Sequence, residues 1–336
     1  MMKRIKNLLK YIIPNILIDA YRKRFLKKRM KTFFNYDENM FFKHSSIWYS
    51  DSQSKRLGII VLLYHIIEKG LTMPDMKYGF GKGKLIQLIS ECINYHKKFD
   101  ITNTQFMQAV GVIEEYKRLH DLINFELDED LKLKMKILFL IFKKGLFVEQ
   151  FVTTKNNYFG DVKAPFNQFS NSRKSIRHFE GPVELSEIYK AIELAQNTPS
   201  SCNRQPVRIH VIDNKDLILK VLDIQKGSRG FGHLADKLIL VTSDLSIYQS
   251  VEERYSAYVD GGMHAMNLLY ALHYHKIAAC SLNWSKSPSE DLELRGVISI
   301  PNSEVVVLVI ACGDVPEEFR IAVSKRNNYK EIIKIY

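Results

Sequence analysis

Ser172 to Phe179 reads SRKSIRHF, which gathers Arg173, Lys174 and Arg177 with Ser172 and Ser175 just ahead of a helix-like stretch, EGPVELSEIYKAIELAQ. Guanidinium forks, hydroxyls and free backbone N–H groups together suit a phosphate, because each offers a charge-assisted or dipole-aligned donor. The same composition also suits a solvated basic turn. Beyond the helix, TPSSCNRQP (Thr198–Pro206) sets Ser200, Ser201, Asn203 and Gln205 between two prolines. Alone this is turn chemistry; beside the first run it is a second polar rim, one helix away.

Other chemistries lack their residues. GSRGFG (Gly227–Gly232) is out of order for a dinucleotide fingerprint and precedes a strand rather than following one. GFGKGK (Gly79–Lys84) ends in Gly-Lys but continues with Leu85 where a phosphate loop needs a hydroxyl. No GxSxG elbow or HExxH helix occurs, and Cys92, Cys202, Cys280 and Cys312 are too scattered for a zinc site or a disulfide framework. No metal is expected, and the thiols read as reduced, in a cytoplasmic protein. His264, His273 and His275 read as surface or hydrogen-bonded side chains. His65 and Glu68 share a helix face at three-residue spacing, read as a structural hydrogen bond.

The two rims need a scaffold. In the first half, Leu85–Tyr95, Phe106–Leu119 and Leu131–Phe142 carry apolar residues at helical spacing, and the Gly- and Pro-bearing Thr72–Lys84 must be a loop. Residues 152–168, within a polar stretch punctuated by Gly160 and Pro165, read as a linker. Helices then alternate with β-rich runs at Arg208–Ile212, Lys237–Thr242, Ala278–Leu282 and Val305–Cys312, which predicts a sheet covered by helices. Gly261 and Gly262 interrupt the long helix near Ser256–His275. Each costs roughly 1 kcal/mol relative to Ala, so a close backbone contact, at a dimer interface, is expected there.

Charge is unevenly placed. Residues 1–31 hold eleven Lys and Arg against the single acid Asp19, so the net charge of +12 belongs mostly to a basic leader. Its basic and apolar residues suit peripheral contact with an anionic membrane, or a helix in water or against the protein's own body. No run reaches the ~18 apolar residues of a spanning helix. No nucleic-acid motif accompanies the charge, and no nucleic-acid partner is expected.

Arg173, Ser175, Arg177 and Phe179, followed by Pro199, Ser200, Ser201, Asn203, Gln205 and Pro206, resemble the paired motifs of the nitroreductase family of FMN-dependent oxidoreductases. Tyr258–Trp284 looks like that family's long central helix and following strand. Cys312–Ile333 looks like its last strand and C-terminal arm. The resemblance covers residues 169 to 336. It implies an α+β fold with a mixed sheet flanked by helices, preceded by a basic leader (1–31), a helical domain (32–151) and a linker (152–168).

The resemblance also implies site roles. Arg173, Lys174, Ser175 and Arg326, helped by Lys325, would hold the FMN phosphate. Arg177 would act as the catalytic residue beside the flavin's pyrimidine edge. Pro199, Ser200, Ser201, Asn203 and Gln205 would line the ribityl chain and ring, from the partner subunit of a homodimer. The implied activity is ping-pong hydride transfer from NAD(P)H through FMN to a small-molecule acceptor. The alternative is a non-catalytic flavin-binding module docked to a membrane or partner complex by its basic N-terminus. Val207 and Lys276-Ile277-Ala278 depart from the family pattern and mark the substrate pocket as the divergent part.

Overall fold

The computed structural model describes residues 15–47, 51–142 and 150–336; the first fourteen residues of the basic leader lie outside the described residues. The chain divides into two units, residues 1–50 with 248–255, and residues 51–247 with 256–336.

In the first unit, helix α1 (Asn15–His44) runs unbroken through residue 31, so the boundary expected between leader and helical domain is absent. Nothing in that stretch breaks a helix, since it has neither Gly nor Pro after Pro14. Arg254 forks onto Asp37 at 2.5 and 2.7 Å and lies over the Phe33 ring, while Arg29 pairs with Glu252. The apolar and charged residues of α1 are spread around the helix rather than segregated into faces, unlike an in-plane membrane helix. Among the described residues, no helix is long and apolar enough to cross a membrane.

The second unit opens with four helices: α2 (Gln53–Leu71), α3 (Lys82–His96), α4 (Thr104–Leu122) and α5 (Glu129–Ile141). Side chains of Ser52, Asn103 and Asp128 cap α2, α4 and α5 by accepting from first-turn N–H groups. Apolar stripes such as Ile60, Leu63, Ile67 and Leu71 then pack the helices into one hydrophobic cluster, which Val323 from the far end of the chain also joins.

The linker expected over 152–168 is folded structure. Strand β1 (Phe151–Thr154) pairs antiparallel with residues 318–321, and the short helices α6 (Lys155–Tyr158) and α7 (Phe166–Ser172) follow it. Tyr158, Phe159 and Val162 are buried in the core. Three large side chains in a polar stretch were enough to bury it, a signal that periodicity cannot read over so few residues. Residues 51–142 accordingly share one unit with the C-terminal half instead of forming a domain of their own.

Strands β2 (Val207–Ile212), β3 (Lys237–Asp244), β4 (Ala278–Asn283) and β5 (Glu304–Gly313) form a sheet in the order β2-β3-β5-β4. Strand β6 (Glu318–Ile321) completes the ribbon with β1. The α+β class holds, with helices on both faces of the sheet. Its three ladders are all antiparallel, so a sheet expected to be mixed is uniform in direction. Alternation assigns Leu238, Leu240, Val309 and Ala311 to one apolar cluster and Ile239, Val241, Ile310 and Cys312 to another. Helices α9 (Lys215–Gln225) and α11 (Pro288–Val297) lie on the first side, α8 (Leu185–Ala195) and α10 (Ser256–Tyr274) on the second.

Gly261 lets the backbone of α10 press on β5. A Cβ there would stand 2.5 Å from Val307 Cγ2, a stiff β-branched side chain. The close contact expected of this glycine is therefore met within the chain, while a Cβ at Gly262 would meet open space. Gly261→Ala is expected to cost about 1–3 kcal/mol through overpacking. Urea unfolding checks this; an unchanged midpoint would mean that β5 yields freely.

Candidate functional site

After α7 the chain runs extended from Arg173, and Ile176 N–H donates to Ala279 O of β4 at 3.0 Å. Ile176 and Phe179 point into the core, almost wholly buried. In an extended segment residues two apart share a side. Burying Ile176 thus turns Ser175 and Arg177 to one cavity, which explains the Arg-x-Ser-x-Arg spacing. Just upstream, Ser172 Oγ donates to Phe169 O at 2.8 Å and therefore accepts from His273 Nε2, also at 2.8 Å. His273 is buried beside Phe169, and burial first, then Arg173 and Lys174, holds its pKa down at about 4. It is neutral, with an unprotonated Nδ1 that meets no partner among the described residues.

The second component is the arm that follows β6. Ser324 adopts φ +47, a left-handed conformation that is uncommon for a non-glycine residue. Its N–H donates to Glu68 Oε1 at 2.9 Å. Val323 N–H donates to Gln150 Oε1 at 3.3 Å, and Gln105 Nε2 donates to Lys325 O at 3.2 Å. Arg326 Nη1 donates to Ser324 O at 2.5 Å, closing the turn.

Two cavities meet here and share Ser175, Ser324, Lys325 and Arg326. The first, about 850 Å³, is also lined by Arg177 and Ser281 and by Leu57, Gly58, Val61 and His65 of α2. The second, about 710 Å³, is lined by Arg173, Lys174, Asn171, Met266 and Tyr270. Both are of the size that small-molecule sites use. Arg173, Lys174, Arg177, Lys325 and Arg326 thus converge, and among the described residues none of them has a carboxylate within ion-pair distance. Arg173 Nε is buried with no hydrogen-bond partner among the described residues. Burial, then Arg173 and Arg326, lowers the Lys174 pKa; burial, then Arg177, lowers that of Lys69. Cations that depress one another in this way form a site short of negative charge.

The other sequence-predicted residues stand apart from this cluster. Ser201 donates to Asp260 from its N–H at 3.1 Å and from its hydroxyl at 2.9 Å, and Ser200 Oγ accepts from Gln205 N–H at 2.9 Å. Cys202, Asn203 and Gln205 all adopt positive φ in this tight loop. Pro199, Ser200 and Gln205 line a separate cavity of about 220 Å³ with Asp260 and His264, and Asn203 is exposed. The reason is geometric: the two runs flank α8, whose eleven residues span roughly 16 Å. The first cavity instead draws Tyr64, Glu68 and Gln105 from the helical segment, which the motifs do not name. Their trace in the sequence is a carboxylate set in the apolar run LLYHIIEKGL. His65 Nδ1 lies 3.5 Å from Glu68 Oε2.

Residues 171–229 match the model of the nitroreductase family. The curated protein "Putative NAD(P)H nitroreductase YdgI" of Bacillus subtilis (strain 168) is 28% identical over 127 residues, 37% of this chain and 59% of that protein. The chain thus spans about three-fifths of the length of the curated relative it matches. Among solved structures, the FMN-dependent nitroreductase of Clostridium difficile R20291 is 21% identical, with a TM-score of 0.40 over 46% of this chain and 89% of that one. A nitroreductase family protein of Clostridium novyi NT is 18% identical, also with a TM-score of 0.40, over 46% and 86%. The stretch that carries the Arg-x-Ser-x-Arg run is a nitroreductase-family segment.

Proposed function

We propose that the protein is an NAD(P)H-dependent FMN oxidoreductase acting on a small electron acceptor. The observation that carries this reading is the five-cation cluster, without a paired carboxylate among the described residues, centred on the family-matched segment. The orphaned Nε of Arg173 fits a phosphate oxygen as its missing acceptor. Arg173, Lys174, Ser175, Lys325 and Arg326 would hold the FMN phosphate through charge-assisted hydrogen bonds. Arg177 would stand at the pyrimidine edge, where a fixed positive charge favours the reduced ring.

When bound, FMN supplies the hydride chemistry itself. The chain's task is then to orient, desolvate and polarise, and nicotinamide and acceptor would use the α2-lined cavity in turn. The second rim (Pro199, Ser200, Ser201, Asn203 and Gln205) lies off this cluster, which supports its entry from the partner subunit of a cytoplasmic homodimer. The visible spectrum of freshly purified protein tests the reading. Flavin absorption, with FMN in the supernatant after heating, is expected. A colourless protein that also refuses added FMN would sink it.

A further inference from the structure

The helical segment ahead of the family-matched region lines the substrate cavity of the reading above, and it also holds the arm on which that reading depends. Glu68 is fully buried, and its Oε1 accepts from both Ser324 N–H at 2.9 Å and Gln108 Nε2 at 3.3 Å. Its Oε2 lies 3.5 Å from the Ser324 hydroxyl. A buried carboxylate is expensive unless its oxygens are well satisfied. Here the satisfaction comes from a backbone N–H in a strained, left-handed residue one position before Lys325 and two before Arg326. Strain of this kind persists only where the surroundings over-determine it. Gln105, itself hydrogen-bonded by the Tyr64 hydroxyl, fixes the next carbonyl, that of Lys325. Helices α2 and α4 therefore set the direction in which Lys325 and Arg326 leave the chain.

We infer that Glu68 is a positioning residue for the phosphate-binding arm, so that the N-terminal helices are a working part of the anion site rather than a docking appendage. This rests on the FMN reading for the identity of the ligand, but not for the anchoring itself. Two roles can be told apart by charge and shape. Gln at position 68 keeps a carbonyl oxygen for Ser324 N–H and Gln108, and its amide can donate to the Ser324 hydroxyl. Ala removes the anchor and the charge together. If Glu68 acted only as a negative charge near the cations, both replacements would tighten anion binding. If it served only the fold, both would lower the melting temperature and leave affinity unchanged.

The experiment measures FMN dissociation constants by fluorescence quenching, and amide hydrogen exchange of residues 322–327 in flavin-free protein, for the full-length wild type, Glu68→Gln, Glu68→Ala and Ser324→Gly. Losing a hydrogen bond to a charged group corresponds to roughly 10- to 100-fold. Glu68→Ala is thus expected to weaken FMN binding by about that factor and to speed arm exchange similarly. Glu68→Gln should bind as well as wild type or better. Ser324→Gly, which keeps the N–H and relieves the positive φ but loses the hydroxyl facing Glu68 Oε2, should weaken binding less than Glu68→Ala does. Equal affinities and exchange in all four proteins would overturn the inference. Wild type that refuses FMN while Glu68→Ala still loosens the arm would overturn the cofactor reading and leave the anchor standing. Should Glu68→Ala not fold, a Glu68→Gln protein with a loosened arm and weakened FMN binding overturns the proposal.

Discussion

Replacing Arg173 and Arg326 together with Ala is expected to abolish flavin retention. Each guanidinium would contribute a charge-assisted hydrogen bond to phosphate, worth about 1.5–3 kcal/mol, so the pair accounts for roughly 10²- to 10⁴-fold in affinity. Neither arginine has a carboxylate partner among the described residues, and Arg173 Nε is already unsatisfied. Their loss should therefore leave the fold intact and relieve some repulsion, which circular dichroism and thermal melts would register. The dissociation constant for FMN, read by fluorescence quenching, is the deciding quantity. A doubly substituted protein that purifies yellow would refute the assignment of these residues to the phosphate.

Acid should destabilise the protein through His273. Its folded pKa is about 4 against 6.5 for the free side chain, because burial and the neighbouring Arg173 and Lys174 disfavour the imidazolium. A folded pKa below the unfolded one means that the unfolded chain binds the extra proton first. Stability from this residue is thus fully present above about pH 6.5 and is lost progressively as pH falls to about 4. The gap corresponds to about 3 kcal/mol, at 1.36 kcal/mol per pKa unit. Urea titrations between pH 7 and 4 measure it, with His273→Phe as the comparison, since Phe preserves the stacking on Phe169 and cannot titrate. Parallel pH profiles for the two proteins would show that carboxylates, not His273, set the acid limb.

What the sequence disclosed and what it hid follow from how far apart the cooperating residues lie. The helices around Leu85, Phe106 and Leu131, and the four strands of the sheet, carry their own periodicity and appear where expected. Arg173, Ser175 and Arg177 were legible for another reason: cations and hydroxyls gather in one short run that resembles a family motif, and burial of Ile176 in the extended chain then turns Ser175 and Arg177 to one side. The β1–β6 ribbon was not legible, because four-residue strands 150 positions or more apart carry too short a pattern to separate from a polar linker. The partners of Glu68, Gln105 and His273 were hidden more deeply. A buried polar side chain is explained only by its partner, and Ser324 lies at the other end of the chain from α2. The paired rims were read as neighbours because both flank one helix; the length of α8 is what separates them.

Glu68 and Ser324 are 256 residues apart, and that separation orders events in time. The anchor needs both ends of this long loop to be made and brought together, so it belongs to the late steps of folding. On a ribosome adding 5–20 residues per second, roughly 13–50 s pass between synthesis of α2 and of the arm. Throughout that interval Glu68 lacks the Ser324 N–H, and the cations at 173–177, once made, lack their companions at 325 and 326. With Arg326 in the phosphate role proposed above, cofactor loading would be timed by residue 326, not by the emergence of the motif that first betrays the site.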